Sequence, residues 1–167
     1  DEAKRLLTEK KADVIVGYEM GTLPLVATPC FITAPEDVDR LVYNPLCIQN
    51  LAAFVTDILY QHRDSQKRTA IEKRTRKVVG VVARGCTSRS LIIHLQERQY
   101  ERDDVVILGV PCRGYVDQRK MAALLGNREI IDGSLQGNTI GVKTGDGEQA
   151  IALDEVLADN CRTCPFN

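Results

Sequence analysis

Two short apolar runs flank a helical pattern in the middle of the chain. The runs cover residues 78–83 and 105–110 and are rich in β-branched side chains, while Leu91, Ile92 and Leu95 recur between them at helical spacing. A strand, a helix and a second strand in this order form a βαβ unit, whose crossover makes the two strands parallel. The pattern therefore predicts an α/β fold with a parallel-sheet βαβ core.

The first third of the chain extends this pattern. Residues 2–11 are predicted to form a helix, and the β-branched run at 12–18 predicts a buried parallel strand. Residues 23–33 are apolar but contain Pro24 and Pro29, which restricts this segment to an edge strand or an irregular extended stretch.

Two further helices are predicted before the βαβ unit. Pro35 and the acidic residues that follow it indicate a short helix over residues 34–41. A longer helix is expected over residues 46–60 because apolar side chains recur along it with helical spacing. These side chains are Leu51, Val55, Ile58 and Leu59.

The last third has a different character. Short alternating strands separated by glycine-containing turns are predicted at residues 129–135, 139–143 and 149–152. We therefore divide the chain into an α/β core, residues 1–128, and a small antiparallel β appendage with the C-terminal segment, residues 129–167, which together form one compact unit. The chain begins with Asp1 rather than Met, and we expect a fragment of a longer chain.

The composition fits a globular protein of this fold. The 167 residues are 44% hydrophobic and 27% charged, with a net charge of −1, which argues against a dedicated nucleic-acid-binding protein. No apolar run approaches the roughly 20 residues of a membrane-spanning helix. Because the start shows no secretion signal, we expect a cytoplasmic protein.

Basic side chains are concentrated in residues 61–77. Such a run usually forms a solvated surface. The alternative is an electropositive rim that attracts an anionic cofactor or an acidic partner protein. Since aromatic residues are absent from this basic run, single-stranded nucleic acid is weakly supported as a ligand. The basic residues are His62, Arg63, Lys67, Arg68, Lys73, Arg74, Arg76 and Lys77.

Six cysteines and two histidines suggest metal or redox chemistry rather than structural disulfides. Cys86 and Cys112 each follow one strand of the βαβ unit, so we expect them to meet at the carboxyl edge of the sheet. Cys161 and Cys164 form a Cys-x-x-Cys turn, and Pro165 follows it. These four thiols are the predicted ligands of one metal centre.

The two remaining cysteines receive different roles. Cys47 falls in the first turn of the helix predicted over residues 46–60, where a helix N-terminus favours the anionic thiolate. It is therefore the reserve ligand, although a core position is equally consistent with its sequence context. Cys30 lies in the apolar segment 23–33 and is expected to be structural.

Four thiolates fit either a 4Fe–4S cluster or a structural zinc ion, and their spacing does not separate the two. Gly85, Gly109 and Gly114 allow the backbone to approach a bulky cluster. Thr87 or Ser88 is expected to cap the helix between the two strands, and the N–H groups at its start are placed to donate to cluster sulfur.

Two other chemistries are less well supported. A thiol–disulfide couple at Cys161 and Cys164 would normally lie between a strand and a long helix, whereas this pair follows a short helical turn. Cys86 with Arg84 and Arg89 nearby could act as a nucleophile, but the sequence offers no base for it. No dinucleotide or Walker phosphate loop occurs, so the sequence identifies no catalytic residues.

At several of these residues the chain resembles a known family. The chain resembles the paired motifs of the beta subunits of deazaflavin-dependent hydrogenases and formate dehydrogenases at Gly85-Cys86-Thr87-Ser88-Arg89 and Gly109-Val110-Pro111-Cys112. It also resembles stretches in bacterial iron–sulfur relatives of that family, at Asn44-Pro45-Leu46-Cys47 with Asn50-Leu51 and at Asp159-Asn160-Cys161-Arg162-Thr163-Cys164. The resemblance extends from about residue 13 onward and rests on the order of these motifs.

The resemblance implies an iron–sulfur flavoprotein that relays electrons between a partner oxidoreductase and a two-electron carrier. The expected cofactors are a 4Fe–4S cluster and FAD or FMN, with the segment Gly85–Arg89 and Gly109 near the flavin or cluster and the partners being other redox subunits. The ferredoxin-like module that often accompanies this family is absent from the 167 residues. The alternative is a zinc-stabilised interaction subunit without redox activity.

Overall fold

The computed structural model describes residues 1–165, which form two compact units. Both units are assembled from separate stretches of the chain. The first contains Asp1–Tyr18, Pro29–Leu41 and Gln49–Pro111. The second contains Glu19–Thr28, Val42–Ile48 and the chain from Cys112 onward.

A four-stranded sheet is the centre of the α/β core. Its strands are β1 (Val14–Met20), β2 (Ala27–Ile32), β3 (Val79–Ala83) and β4 (Val105–Gly109). They are ordered β2-β1-β3-β4, and β3 pairs in parallel with both β1 and β4. The α/β fold and the parallel βαβ unit are confirmed. β2 lies at an edge of the sheet, as the prolines in its sequence predicted.

Three helices cover this sheet: α1 (Glu2–Thr8), α2 (Ala52–Ser65) and α3 (Gly85–Gln96). Ile15 and Val82 belong to a core cluster with α1 and the 3-10 turn Pro35–Arg40. Neighbouring residues of a strand point to opposite faces, so Val81, which is fully buried, points to the other face of the sheet. On that face α2 and α3 pack against β3 and against each other.

The helix predicted over residues 46–60 begins later than expected. Asn44 Oδ1 accepts a hydrogen bond from the Leu46 N–H at 2.9 Å, which closes an Asx turn. Asn50 Oδ1 then accepts from the Ala52 N–H at 3.1 Å, where α2 begins. Cys47 therefore precedes the helix, and the prediction that it lies in the first helical turn was wrong.

The helix of the βαβ unit begins earlier than expected. α3 starts at Gly85, immediately after β3, and no side chain caps its first turn. The prediction that Thr87 or Ser88 caps this helix was wrong, since both residues lie inside it. The short interval between Ala83 and Gly85 leaves no room for a separate capping turn, and it places Cys86 in the first turn of α3.

The second unit contains an antiparallel sheet with strand order β5-β6-β7. Its strands are β5 (Asp132–Gln136), β6 (Thr139–Thr144) and β7 (Gly147–Ala152). The helices of this unit are α4 (Gln118–Leu124), α5 (Leu153–Val156) and α6 (Asp159–Arg162). The predicted β appendage is confirmed, with its first strand beginning three residues later than expected.

In the described part of the chain, every helix is too short or too polar to cross a lipid bilayer.

Candidate functional site

Cys112 and Cys161 both lie close to Gly114 in the second unit. The Gly114 N–H donates to Cys112 Sγ at 3.4 Å. A Cβ built on Gly114 would lie 3.0 Å from the Cβ of Cys161 and 2.7 Å from Leu157 Cδ1. Gly114 has a φ of +88°, so the turn after Cys112 depends on glycine both for its conformation and for its close approach to Cys161.

Cys161 and Cys164 belong to one tight turn at the end of α6. The Cys164 N–H donates to the carbonyl of Cys161 at 3.3 Å. Cys161 is 8% exposed, whereas Cys112 and Cys164 are half-buried. Of these three thiols of the second unit, one is thus buried and two are partly open to solvent.

Backbone and charged contacts hold this turn against the segment that carries Cys112. The Ala158 N–H donates to Tyr115 O at 3.0 Å. Lys120 Nζ donates to Leu157 O at 2.9 Å and also pairs with the Asp159 carboxylate. The hydrogen bond from Lys120 lowers the pKa of Asp159 below its usual value. The two cysteine-bearing segments are therefore joined by contacts of the second unit itself.

Cys47 also belongs to the second unit and is fully buried. Its sulfur lies 3.9 Å from both Val42 O and Asn44 Oδ1. Its role as reserve ligand stays a prediction, and these surroundings match a buried structural thiol better than a metal ligand.

Cys30 is buried in the hydrophobic cluster beneath the first sheet, together with Ile15 and Ile32. This environment agrees with the structural role expected for Cys30.

Cys86 belongs to the first unit and is exposed in the first turn of α3. The N–H of Val110 donates to the carbonyl of Ala83 at 3.0 Å, which extends the pairing of β3 and β4 to their carboxyl ends. The strand ends that precede Cys86 and Cys112 therefore lie at the same edge, as predicted. That Cys86 joins the other three thiols stays a prediction.

A buried arginine accompanies the start of α3. Arg84 is 4% exposed, and its Nη2 donates to Gln49 O at 3.4 Å. The same carbonyl accepts a hydrogen bond from the Tyr18 hydroxyl. The buried cation adds to the positive potential of the helix N-terminus, which favours an anion there.

The flavin-site residues expected from the family resemblance have different surroundings. The hydroxyl of Thr87 is fully buried and makes no hydrogen bond within residues 1–165, so it faces the interior. Ser88 is half-buried and Arg89 is exposed on the first turns of α3. A Cβ on Gly109 would meet no atom within 4 Å, so no described group crowds this glycine.

Within residues 1–165, no three His, Cys, Asp or Glu side chains are already grouped as a metal-binding set, and no disulfide joins the six cysteines. The donor chemistry of Cys112, Cys161 and Cys164 nevertheless fits iron or zinc, both of which accept thiolate ligands.

Sequence reasoning missed two features of these sites. Arg84 was considered only as a neighbour of a nucleophilic Cys86, and its burial was not anticipated. An arginine placed directly between a buried strand and a helix start is the signal that could have found it. Asn50, a residue type favoured at helix starts, also marked the true beginning of α2.

The fold is similar to that of a known redox assembly component. A chain in the structure of the xenon-derivatised F420-reducing [NiFe] hydrogenase complex from Methanosarcina barkeri matches with a TM-score of 0.58 and 14% sequence identity. The match covers 97% of this chain and 57% of that chain. The likeness is one of fold.

No family model matches the sequence, and no curated protein matches it. The sequence motifs resemble those of hydrogenase beta subunits, and the structural neighbour comes from a hydrogenase complex. At 14% identity the neighbour shows a shared fold, and membership of the beta subunit family stays a prediction. The present chain spans a little over half the length of the chain that it matches.

Proposed function

We propose that this chain is an electron-transfer subunit or domain of an oxidoreductase complex and that it holds one 4Fe–4S cluster. The observation that carries the proposal is the placement of Cys112 and Cys161 around Gly114, with Cys164 in the adjoining turn. The fold likeness to a chain from a hydrogenase complex supports it.

Cys112, Cys161 and Cys164 supply three thiolates in this proposal. Cys86 supplies the fourth, with Cys47 in reserve. A bound 4Fe–4S cluster stores and passes single electrons, at a potential that depends on burial and on N–H donors to its sulfur atoms. The protein holds the ligand-bearing turns through Lys120 and the Ala158–Tyr115 hydrogen bond.

The start of α3 is the place proposed for the phosphate of FAD or FMN. The first N–H groups of a helix have no partner within it, and the buried Arg84 adds positive charge beside them. Gly85, Ser88 and Arg89 would contact the phosphate in this arrangement. The electron partners are other redox subunits of a cytoplasmic complex.

A zinc-stabilised interaction subunit is the second candidate. The thiol ligand set is compatible with it, because structural zinc sites are four-coordinate and readily use cysteine ligands. In that case the metal would stabilise the second unit and would carry no electrons.

Metal analysis of protein purified without oxygen separates the two candidates. The iron–sulfur proposal expects iron and inorganic sulfide in equal amounts and broad visible absorption that bleaches on reduction. Zinc without iron, in colourless protein, would replace it with the second candidate. Protein that takes up neither metal under reconstitution would exclude both.

Single cysteine variants test the ligand set. Cys161→Ser is expected to lose iron, because it removes the thiol beside Gly114, whereas Cys30→Ser is expected to retain it. Cys30 is a matched control, since it is also buried but lies in the core cluster of the first unit. Equal iron loss in both variants would show that destabilisation, rather than loss of a ligand, is responsible.

A further inference from the structure

The basic stretch after α2 forms a cleft that the proposed function does not use. The cleft has a volume of about 290 Å³ and belongs to the first unit. It lies between the last turn of α2 and the segment that leads into β3. Lys77 and Asp104 precede the parallel strands β3 and β4, so the cleft is at the amino edge of the sheet. Cys86 follows the carboxyl end of β3, at the other edge.

Four cations line this cleft and face one carboxylate. The cations are Arg63, Arg74, Arg76 and Lys77, with His62 beside them, and the carboxylate is Asp104. A concave site lined by one sign of charge concentrates its field, because the walls exclude water. The cleft therefore presents a net positive charge to any ligand that enters it.

The guanidinium groups are held in place by protein oxygen atoms. Arg74 Nε donates to Thr69 O at 3.1 Å, and Arg76 Nε donates to Asp104 Oδ1 at 2.8 Å. Arg63 Nη2 donates to a backbone carbonyl, that of Gln99. A guanidinium has five N–H donors, so each of these bonds fixes the group and leaves further donors for a ligand.

A glutamine side chain fixes the loop that carries two of these arginines. The Gln66 amide donates to Thr75 O at 2.9 Å, and its oxygen accepts from the Thr75 N–H at 2.6 Å. Thr75 stands between Arg74 and Arg76, so both backbone groups of the intervening residue are anchored to α2. The cations are thus partly preorganised, which lowers the entropic cost of binding.

We propose that this cleft binds a compact polyanion that carries phosphate groups. The planar N–H pairs of arginine match phosphate oxygen atoms in a bidentate manner. The cleft is near the lower end of the usual range for small-molecule sites, about 300–1,000 Å³. No Phe, Tyr or Trp is among its described lining residues, and Leu59 is the apolar one, so recognition rests mainly on charge rather than on stacking of a base.

The experiment measures the binding of pyrophosphate, with orthophosphate as the monomeric comparison, by calorimetry on the full chain. Arg74→Gln and Lys77→Gln are each expected to weaken pyrophosphate binding about tenfold, the loss typical of one charge-assisted contact. Lys73→Gln is the matched control. It makes the same change in charge in the neighbouring turn, is exposed, and does not line the cleft. It is expected to change the affinity less than about twofold, since its ammonium group makes no contact in the cleft and an exposed charge without direct contact adds little.

Three results would overturn the proposal. The first is no measurable pyrophosphate binding. The second is equal weakening in the control and in the cleft variants, which would show a diffuse field in place of a site. The third is binding of poly-glutamate without pyrophosphate, which would make the cleft a surface for an acidic protein. Circular dichroism of each variant establishes that a loss of binding is not a loss of fold.

Discussion

Gly114 must be glycine for two reasons, its positive φ and the close packing around its Cα atom. Its φ is +88°, and an added Cβ would approach Leu157 Cδ1 to 2.7 Å and Cys161 Cβ to 3.0 Å. Gly137 is a natural comparison, because its φ is +60° and an added Cβ would meet nothing within 4 Å. The pair separates the cost of conformation from the cost of contact.

Gly137→Ala is expected to lower the free energy of unfolding by about 1–2 kcal/mol, the cost of a left-handed conformation for an L-residue. Gly114→Ala is expected to cost a further 1–3 kcal/mol or so, as overpacking does in a filled site. Denaturant titration measures both. Equal losses would mean that the neighbours of Gly114 yield without strain.

Tyr100 is a single residue that makes the stability of the fold depend on pH. Its hydroxyl donates to Leu91 O at 2.6 Å, and burial raises the pKa of the Tyr100 phenol from 10.0 to about 12. At pH values between 10.0 and about 12, the phenol is ionised in the unfolded chain and neutral in the folded one. Its contribution to stability is therefore complete below pH 10 and is lost as the pH rises toward 12.

Tyr100→Phe is expected to reduce this loss. The variant should be about 1 kcal/mol less stable at neutral pH, because Leu91 O loses a buried donor, and its stability should fall less steeply above pH 10. Denaturant titrations of both proteins at several pH values measure the difference. Parallel curves would show that Tyr100 ionises equally in the folded and unfolded states.

Among the elements, α4 begins with a cap that involves a single side chain. Asp117 Oδ1 accepts a hydrogen bond from the Arg119 N–H at 2.9 Å. Asp117→Ala is expected to lower the free energy of unfolding by about 1 kcal/mol, whereas Asp117→Asn should retain most of it, because asparagine caps equally well. Thermal or denaturant unfolding measures the two. If asparagine cost as much as alanine, the charge of Asp117 rather than its cap would be the source of stability.

The elements also show which parts of the fold were predictable from sequence. The strand pattern found β1 and β3 because a buried parallel strand leaves a continuous apolar run, and it found β4, which lies at the edge of the sheet, from its β-branched residues. Of the apolar stripe predicted for this helix, α2, Val55 and Leu59 are buried within it, Leu51 is buried just before it, and Ile58 is half-buried. The predicted first residues of α2 and α3 were wrong. Where a helix begins depends on local contacts, such as the hydrogen bond from the Ala52 N–H to Asn50 Oδ1, and the spacing of apolar residues does not reveal these contacts.

The candidate site was predictable to a lesser extent. The Cys-x-x-Cys turn was visible in the sequence, and the glycine after Cys112 was a fair sign of close approach. The contact between Gly114 and Cys161 was not visible, because 46 intervening residues must first fold into α4 and the antiparallel sheet. The burial of Arg84 was missed for another reason: an arginine is usually exposed, and only its place between a buried strand and a helix start indicated otherwise.

For the whole molecule, metal loading is expected to raise stability. A ligand that binds the folded chain and not the unfolded one shifts the equilibrium by mass action, about 2.7 kcal/mol at a hundredfold excess over its dissociation constant. Reconstituted protein should therefore unfold at a higher temperature than chelator-treated protein. Hydrogen exchange should show the added protection in residues 112–165.

The Cys161→Ser variant is the control for this effect. Its unfolding temperature should not depend on reconstitution, whereas that of Cys30→Ser should still rise. A rise in both variants would place the metal on other residues, and no rise in the unaltered protein would remove metal binding from the account.

The two units are built from alternating segments of the chain, which affects how they can fold during synthesis. The second unit takes Glu19–Thr28 and Val42–Ile48 from the early part of the chain. In it, Leu25 packs against Gly133, and Pro45 O accepts from the Val116 N–H at 2.8 Å. As the chain leaves the ribosome, these early segments remain without their partners until Val116, 71 positions after Pro45, and Gly133, 108 positions after Leu25, are translated. A chain cut between Pro111 and Cys112 would therefore yield no fragment that contains a complete second unit. The second unit could then form only if the two fragments associate.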